Sequence, residues 1–167
     1  MAVEEFVNAD AIAQGLSAFA PNKVALDAGR IMLKRMRELA SKHINFAFET
    51  TLASRSFATW LQTLQTTGYK THLLFLSLPS VEFAIQRVNT RISLGGHDIP
   101  QPIITRRFHS GLVNFFKLYM PIVSSWKIYD NSTTDYPALL ASGDQNGTIV
   151  INEILFQQLK EKYAYGS

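Results

Sequence analysis

Residues 70–78 read Lys-Thr-His-Leu-Leu-Phe-Leu-Ser-Leu, a nearly continuous apolar run. A run of this kind predicts a β-strand that is covered on both faces. Before it, a helical pattern from Arg55 to Thr67 stops at Gly68, and after it Ser80 can cap a further helix. The sequence around this strand therefore alternates between helix and strand.

The same alternation continues in both directions along the chain. Polar-ended apolar segments predict further strands at residues 6–10, 44–51, 126–131, 138–141 and 148–151. Periodic apolar stripes predict helices at residues 24–39, 81–92, 103–119 and 153–163. Alternating elements of this size predict an α/β fold with three layers and a mostly parallel sheet, in a single domain that covers residues 1–167.

The composition narrows the class of protein. A length of 167 residues with 47% hydrophobic residues suffices for one core without covalent staples. The absence of cysteine excludes disulfide frameworks, thiolate zinc sites and cysteine nucleophiles. A net charge of +3 is too weak to indicate a nucleic acid as partner. No apolar run of membrane-spanning length and no signal-peptide pattern occur, so we expect a cytoplasmic protein without a membrane partner.

Polar residues follow three of the predicted strands. Asp10, Glu49 and Asn131 stand where the apolar pattern of each strand ends. Ligands of parallel α/β sheets bind beyond the carboxyl ends of the strands, which favours these residues as site candidates. An aspartate in such a position also caps helices and closes turns, and the residues alone leave both interpretations open.

Four arginines surround a segment bounded by glycine and proline. Arg87 and Arg91 precede the segment and Arg106 and Arg107 follow it. Guanidinium groups contact phosphate oxygens in a bidentate manner, so the cluster is typical of a mobile lid that closes over phosphates. For any single one of these arginines a surface salt bridge is the better explanation, but for the cluster as a whole it is not. We expect the segment 95–102 to be the most mobile internal part of the chain.

Other catalytic arrangements are not indicated. The four histidines lack metal-ligand spacing, and no metal site is predicted. The glycine and serine at positions 15 and 17 lack the second glycine of a nucleophile elbow. The aromatic side chains Phe108, Phe115, Phe116 and Tyr119 have helical spacing and are expected in the core.

The order of several short motifs resembles that of the zeta toxin family, and within it the chromosomal branch described as predicted ABC-type ATPases. The motifs run from Phe6 to Gly143 and include FVNAD (6–10), GLS (15–17), AGR (28–30), FETTL (48–52), SRS (54–56), GY (68–69), RVNTR (87–91), GGHDIP (95–100), RRF (106–108) and YDNS (129–132). The resemblance implies a P-loop kinase fold that uses ATP and Mg²⁺ to phosphorylate a small molecule. In the toxins this molecule is the sugar of UDP-N-acetylglucosamine.

The resemblance also implies roles for acceptor-side residues. Asp10 corresponds to the base or orienting group for the acceptor hydroxyl. Glu49, Thr50 and Thr51, together with Arg30, correspond to substrate-binding positions. A carboxylate that accepts a hydroxyl proton is also what phosphoryl transfer requires on chemical grounds.

The phosphate and nucleotide sides are implied in the same way. Arg91 with Arg106 or Arg107 corresponds to the groups that contact the transferring phosphates, and Asn131 and Arg87 correspond to nucleotide-binding positions. We therefore expect Asp10 and Glu49, at the ends of adjacent strands, to face one pocket with Arg91 and at least one of the two later arginines. The resemblance does not show which of Arg106 and Arg107 contacts the phosphates.

One feature of the family is missing. Members begin with a strand and a Walker A loop, Gly-x4-Gly-Lys-Ser/Thr, whereas five residues precede Phe6 and none of the nine glycines is followed by lysine. The first strand and the phosphate loop of the fold are thus predicted to be absent from residues 1–167, which leaves a gap in the sheet and an open strand edge.

Two hypotheses follow. The first is an amino-terminally shortened kinase whose activity belongs to a longer protein. The second is a non-catalytic relic that binds a nucleotide-sugar or a protein partner, either an antitoxin or a second copy through the open sheet edge.

Overall fold

The computed structural model describes residues 3–94, 96, 98–133 and 136–166. The chain divides into two compact units, an N-terminal unit of residues 1–50 and a C-terminal unit of residues 51–167. Helices and strands alternate along both, which confirms the α/β class. Within the described ranges no helix combines the length and the apolar character needed to cross a membrane.

Over residues 3–50, the N-terminal unit contains two strands and two α-helices. Its elements are β1 (Glu5–Val7), α1 (Ala9–Leu16), a 3-10 turn (Pro21–Val24), α2 (Ala25–Ser41) and β2 (Phe46–Phe48). Strand β1 pairs with β2 in parallel. Helix α2 buries Ala28, Met32, Met36 and Leu39, which is the apolar stripe expected of an amphipathic helix.

The start of the unit differs from the sequence-based prediction. A strand was expected over residues 6–10, but β1 ends at Val7 and helix α1 occupies Ala9–Leu16. The reason is the side chain of Asn8, whose Oδ1 accepts hydrogen bonds from the backbone N–H groups of Asp10 (2.8 Å) and Ala11 (3.1 Å). These are the first N–H groups of a helix that otherwise lack an acceptor, so Asn8 is the N-cap of α1.

The C-terminal unit contains four strands and four α-helices in the described residues. They are α3 (Ser56–Thr66), β3 (His72–Ser77), α4 (Val81–Ser93), α5 (Gln101–Asn114), β4 (Ser125–Asp130), β5 (Ala138–Asp144), β6 (Gly147–Val150) and α6 (Glu153–Lys160). Two segments of π-helix, Phe115–Tyr119 and Glu161–Tyr165, continue α5 and α6. Ser80 caps α4 as predicted, because its Oγ accepts from the N–H of Phe83 at 3.2 Å.

The sheet of this unit is mixed. The strand order is β3-β4-β5-β6; β3 and β4 are parallel, whereas β4–β5 and β5–β6 are antiparallel. The prediction of a mostly parallel sheet is therefore too strong. The turn at 144–147 between β5 and β6 is too short for a parallel crossover, which needs a dozen residues or more.

One face of the sheet carries the core. Trp126 and Ile128 of β4 pack with Phe115 and Phe156, and Leu73 and Phe75 of β3 lie against the same cluster. The opposite face of β3 is open, because Leu74 and Leu76 are 66% and 52% exposed. The expectation that β3 is covered on both faces is thus wrong for the residues described here. Its near-continuous apolar run alternates between a covered face and an uncovered one.

The capping role of Asn8 gives a stability prediction. Replacement Asn8→Ala removes the acceptor of two N–H groups and should lower the free energy of unfolding by about 1 kcal/mol. Replacement Asn8→Ser keeps an oxygen at the cap and should recover most of this loss. Thermal unfolding followed by circular dichroism measures both, with an expected difference in Tm of about 2–4 °C. Equal melting of Asn8→Ala and the unaltered chain would contradict the assignment of the cap.

Candidate functional site

The carboxyl ends of β1 and β2 carry a polar pair. Val7 and Phe48 are the last partners of the parallel ladder, so Asn8 and Glu49 follow the two strands side by side. The Nδ2 of Asn8 donates a hydrogen bond to Oε2 of Glu49 at 2.6 Å. Since Oδ1 of the same side chain caps α1, the amide of Asn8 joins the start of the helix to the Glu49 carboxylate.

Asp10 lies beside this pair in the chain but on a helix. It occupies the first turn of α1, and its side chain is exposed. A carboxylate at this position is favoured by the partial positive charge of the helix N-terminus. The interpretation of Asp10 as a helix-end residue and its interpretation as a site residue are thus compatible, because the cap of α1 is Asn8.

The other predicted acceptor-side residues are also at the surface. Thr50 and Thr51 are exposed, and Oγ1 of Thr51 accepts a long hydrogen bond from the N–H of Ala53 (3.5 Å). Arg30 lies on α2 and pairs with Asp27 at 3.1 Å, with 78% of its side chain exposed. Exposed ion pairs contribute little stability, so Arg30 can exchange this partner for another anion.

The C-terminal unit has its own polar group, at the carboxyl ends of β3 and β4. The N–H of Asn131 donates to the carbonyl of Ser77 (2.9 Å), and Ser77 Oγ donates to the carbonyl of Tyr129 (2.8 Å). Asp130 accepts from the N–H and the hydroxyl of Ser132 at 2.9 and 3.0 Å. These bonds fix the backbone at Asn131.

Arg87 is tied to the same segment. Its Nη2 donates to the carbonyl of Thr133 at 3.0 Å, and its guanidinium carbon lies 5.1 Å from the ring centroid of Phe83. Arg87 therefore orders the chain after Asn131. Only one of its five N–H donors is used in this bond, so the side chain retains capacity for a ligand.

The remaining arginines are exposed. Arg91 lies in the last turn of α4, and Arg106 and Arg107 lie on α5. Within the described residues, no carboxylate lies in ion-pair distance of these three side chains. The segment expected to act as a lid contains Gly95 and His97, which lie outside the described residues, and its last two residues belong to α5.

The two polar groups belong to different units. Asn8, Asp10 and Glu49 are in the N-terminal unit, and the arginines with Asn131 are in the C-terminal unit. That they face one pocket stays a prediction.

The described residues do not by themselves provide the groups that bind a nucleoside triphosphate with its magnesium ion. They contain no cluster of three or more metal-ligating side chains. In the full sequence no glycine is followed by lysine, so the backbone cradle and the lysine of a phosphate loop are lacking. No chemical step through ATP or Mg²⁺ is derived from these residues.

Asn8 is the residue that the sequence analysis missed. It stands inside a motif that was treated as strand, and its two roles depend on which strand lies beside β1. An asparagine two residues before an aspartate, followed by helix-forming alanines, is nevertheless a recognisable N-cap signal.

Comparison with known proteins agrees with the motif order. An uncharacterized protein of Haemophilus influenzae is 29% identical over 107 residues, which cover 64% of this chain and 76% of that protein. No solved structure matches the chain at a significant level. The sequence profile of the zeta toxin family matches residues 6–136, more than half of the 167 residues. This chain therefore belongs to the zeta toxin family.

Proposed function

We propose that Asn8, Asp10 and Glu49 belong to the acceptor side of an ATP-dependent kinase in the cytoplasm. This kinase phosphorylates a hydroxyl of a small molecule, and nucleotide-sugars are its substrate class. The observation that carries the proposal is the 2.6 Å bond from Asn8 to Glu49 at the neighbouring carboxyl ends of β1 and β2, two residues before Asp10. Ligands of α/β sheets bind at this edge. Membership of the zeta toxin family supports a kinase-like or nucleotide-binding role.

On this proposal the carboxylates and hydroxyls divide the work. Asp10 is exposed and accepts the proton of the acceptor hydroxyl, or orients that hydroxyl. Glu49, held by Asn8, accepts hydrogen bonds from the acceptor, and the exposed Thr50 and Thr51, which follow it in the chain, contribute hydroxyl groups. Arg30 reaches the acceptor's own charged groups after leaving its exposed partner on α2.

The C-terminal arginines are assigned to phosphate. Arg91, Arg106 and Arg107 are exposed and have no carboxylate within ion-pair distance among the described residues, which leaves their donors available for phosphate oxygens. Arg87 and Asn131 share a segment that is already ordered by hydrogen bonds, which suits contact with a nucleotide base.

A phosphate loop has to be supplied from outside residues 1–167. Strand β3 supports this part of the proposal, because it stands at one end of its sheet and exposes Leu74 and Leu76. The edge of a sheet carries backbone N–H and C=O groups that an additional strand can pair with, and the exposed leucines lie on the face beside that edge. A preceding strand and Walker A loop at this edge would supply the groups that bind ATP and Mg²⁺, which the 167 residues lack.

The proposal predicts a contrast in activity. The 167-residue chain should show no measurable ATP consumption with nucleotide-sugars or other hydroxyl-bearing metabolites. The same residues behind an added strand and Walker A loop should gain activity, and Asp10→Asn should reduce it by about 100-fold or more. Glu4→Gln, an exposed carboxylate just before β1 with no assigned role, is the matched control and should leave the rate within about twofold.

Two results would count against this assignment. Robust turnover by the 167-residue chain alone, dependent on Asp10, would mean that a phosphate loop is dispensable. An active extended chain that is indifferent to Asp10→Asn would remove the role given to that residue. The coding DNA upstream of Met1 is a further check, because in-frame codons for Gly-x4-Gly-Lys-Ser/Thr favour the kinase and a stop codon favours a relic.

The second candidate is a non-catalytic protein that uses the open edge of β3 for a partner. The position of β3 at one end of its sheet favours it, and the exposed Leu74 and Leu76 on the adjoining face offer apolar surface that a second chain can cover. Between an antitoxin and a second copy we choose the second copy, since a two-fold axis beside β3 pairs two identical edges and satisfies the free backbone groups of both.

Self-association predicts a measurable change in mass. Light scattering after gel filtration should give a dimer for the unaltered chain and a monomer for the double replacement Leu74→Lys and Leu76→Lys. Leu26→Lys is the control, because Leu26 is also exposed (82%) but lies on helix α2. The measurement uses about 100 µM protein, a concentration well above the dissociation constant of a stable dimer. An unaltered chain that is monomeric at this concentration would rule out this candidate.

A further inference from the structure

The turn at residues 51–54 is held by contacts with α5 and the π-helical segment that follows it. Leu52 has φ of 55°, in the left-handed region that a branched side chain rarely adopts. Its side chain is nevertheless buried in the core. A residue persists in this conformation only where its surroundings determine it, so the contacts around Leu52 matter.

Three residues of α5 and the π-helical segment after it provide these contacts. Nδ2 of Asn114 donates to the carbonyl of Leu52 at 2.7 Å, and the hydroxyl of Tyr119 donates to the carbonyl of Ser54 at 2.5 Å. At Gly111 a Cβ atom would lie 2.6 Å from the carbonyl oxygen of Thr51, closer than real Cβ contacts. Three of the four residues of the turn, Thr51, Leu52 and Ser54, are therefore contacted at their carbonyl groups.

The burial of these groups makes the contacts strong. Asn114 and Tyr119 are buried, and the amide nitrogen of the first and the hydroxyl of the second donate to carbonyl groups of the turn. Burial raises the pKa of Tyr119, so its hydroxyl stays protonated and remains a donor at neutral pH. Leaving a buried carbonyl without its donor is costly, so the turn has one favoured conformation.

Thr51 and Ser54 are the exposed residues of this turn, and the Ser54 hydroxyl is bonded to that of Ser56 at 2.7 Å, so we consider Thr51. It is exposed, while the backbone beneath it is fixed. A hydroxyl on a backbone that cannot move binds a ligand without a further loss of conformational entropy.

We propose that Gly111, Asn114 and Tyr119 are positioning residues that set the 51–54 turn so that the Thr51 hydroxyl hydrogen-bonds a sugar hydroxyl of the acceptor. This inference rests on the proposed function, since it takes a nucleotide-sugar as the acceptor class. It adds three residues, none of which touches the ligand, to the acceptor side.

The test is a double-mutant cycle on binding by the 167-residue chain, with UDP-N-acetylglucosamine as the probe and titration calorimetry as the measurement. Thr51→Val removes the hydroxyl and should weaken binding by about tenfold; Tyr119→Phe should weaken it by about fivefold. The double variant should bind no more weakly than Thr51→Val alone, because Tyr119 acts through Thr51. Tyr163→Phe is the control: Tyr163 is also buried in the core and should bind the probe like the unaltered chain.

Three further variants keep the inference testable if one of the first variants does not fold. Gly111→Ala should weaken binding, because its Cβ displaces the Thr51 carbonyl. Gly29→Ala, in the middle of α2 with no atom within 4 Å of the added Cβ, should not. Asn114→Asp keeps the shape of the side chain and removes the donor to Leu52, and it should weaken binding as Tyr119→Phe does. Circular dichroism melts identify the folded variants that are compared.

Each outcome separates the two proposals. Additive effects of Thr51→Val and Tyr119→Phe, or a Tyr119→Phe chain that binds like Tyr163→Phe, overturn the positioning role and leave the kinase proposal untouched. Failure of the unaltered chain to bind the probe overturns the inference as well. Binding with the expected cycle, combined with an extended chain that transfers no phosphate, supports the inference and removes the kinase.

Discussion

The aromatic contact between the four-stranded sheet and the helices over it is the interaction on which the C-terminal unit depends. Trp126 of β4 stacks on Phe156 at 6.0 Å and meets Phe115 edge-on at the same distance. The Trp126 ring also lies over Gly143 of β5, where any Cβ would collide with it. Aromatic rings bury the most surface per residue, so this cluster fixes which face of the sheet is the inner one. The helical stretch that carries Phe115 is also the one that contacts the 51–54 turn, so the core and this turn depend on the same helix.

Much of this architecture is predictable from the sequence because local signals agree with the final structure. Ser80 before an apolar stripe predicts α4, and the observed cap confirms it. The run at residues 70–78 predicts β3 with nearly the observed bounds. Its burial is not predictable in the same way, since the same leucines suit a covered and an uncovered face, and only the neighbouring strands and helices decide between them.

The candidate site shows where local signals end. Sequence position alone indicates that Asp10 and Glu49 follow strands, but it cannot show that β1 and β2 are neighbours in register. The hydrogen bond from Asn8 to Glu49 joins residues 41 positions apart and depends on that register. For the same reason, no pattern in the chain reveals that a side chain at Gly111 would collide with the carbonyl oxygen of Thr51. Contacts between distant segments are set by tertiary packing, which periodicity does not encode.

The distribution of charge is the feature that the composition conceals most completely. A net charge of +3 indicates almost balanced charges. In the described parts of the chain, however, the ion pairs lie between residues 5 and 38, where Arg30 and Arg35 meet nearby carboxylates. Arg91, Arg106 and Arg107 have no such partner among the described residues, so balance over the whole chain coexists with uncompensated positive charge on α4 and α5. Exposed guanidinium groups without a protein partner keep their full capacity for an anion, and this local excess, not the net charge, is what an anionic ligand meets.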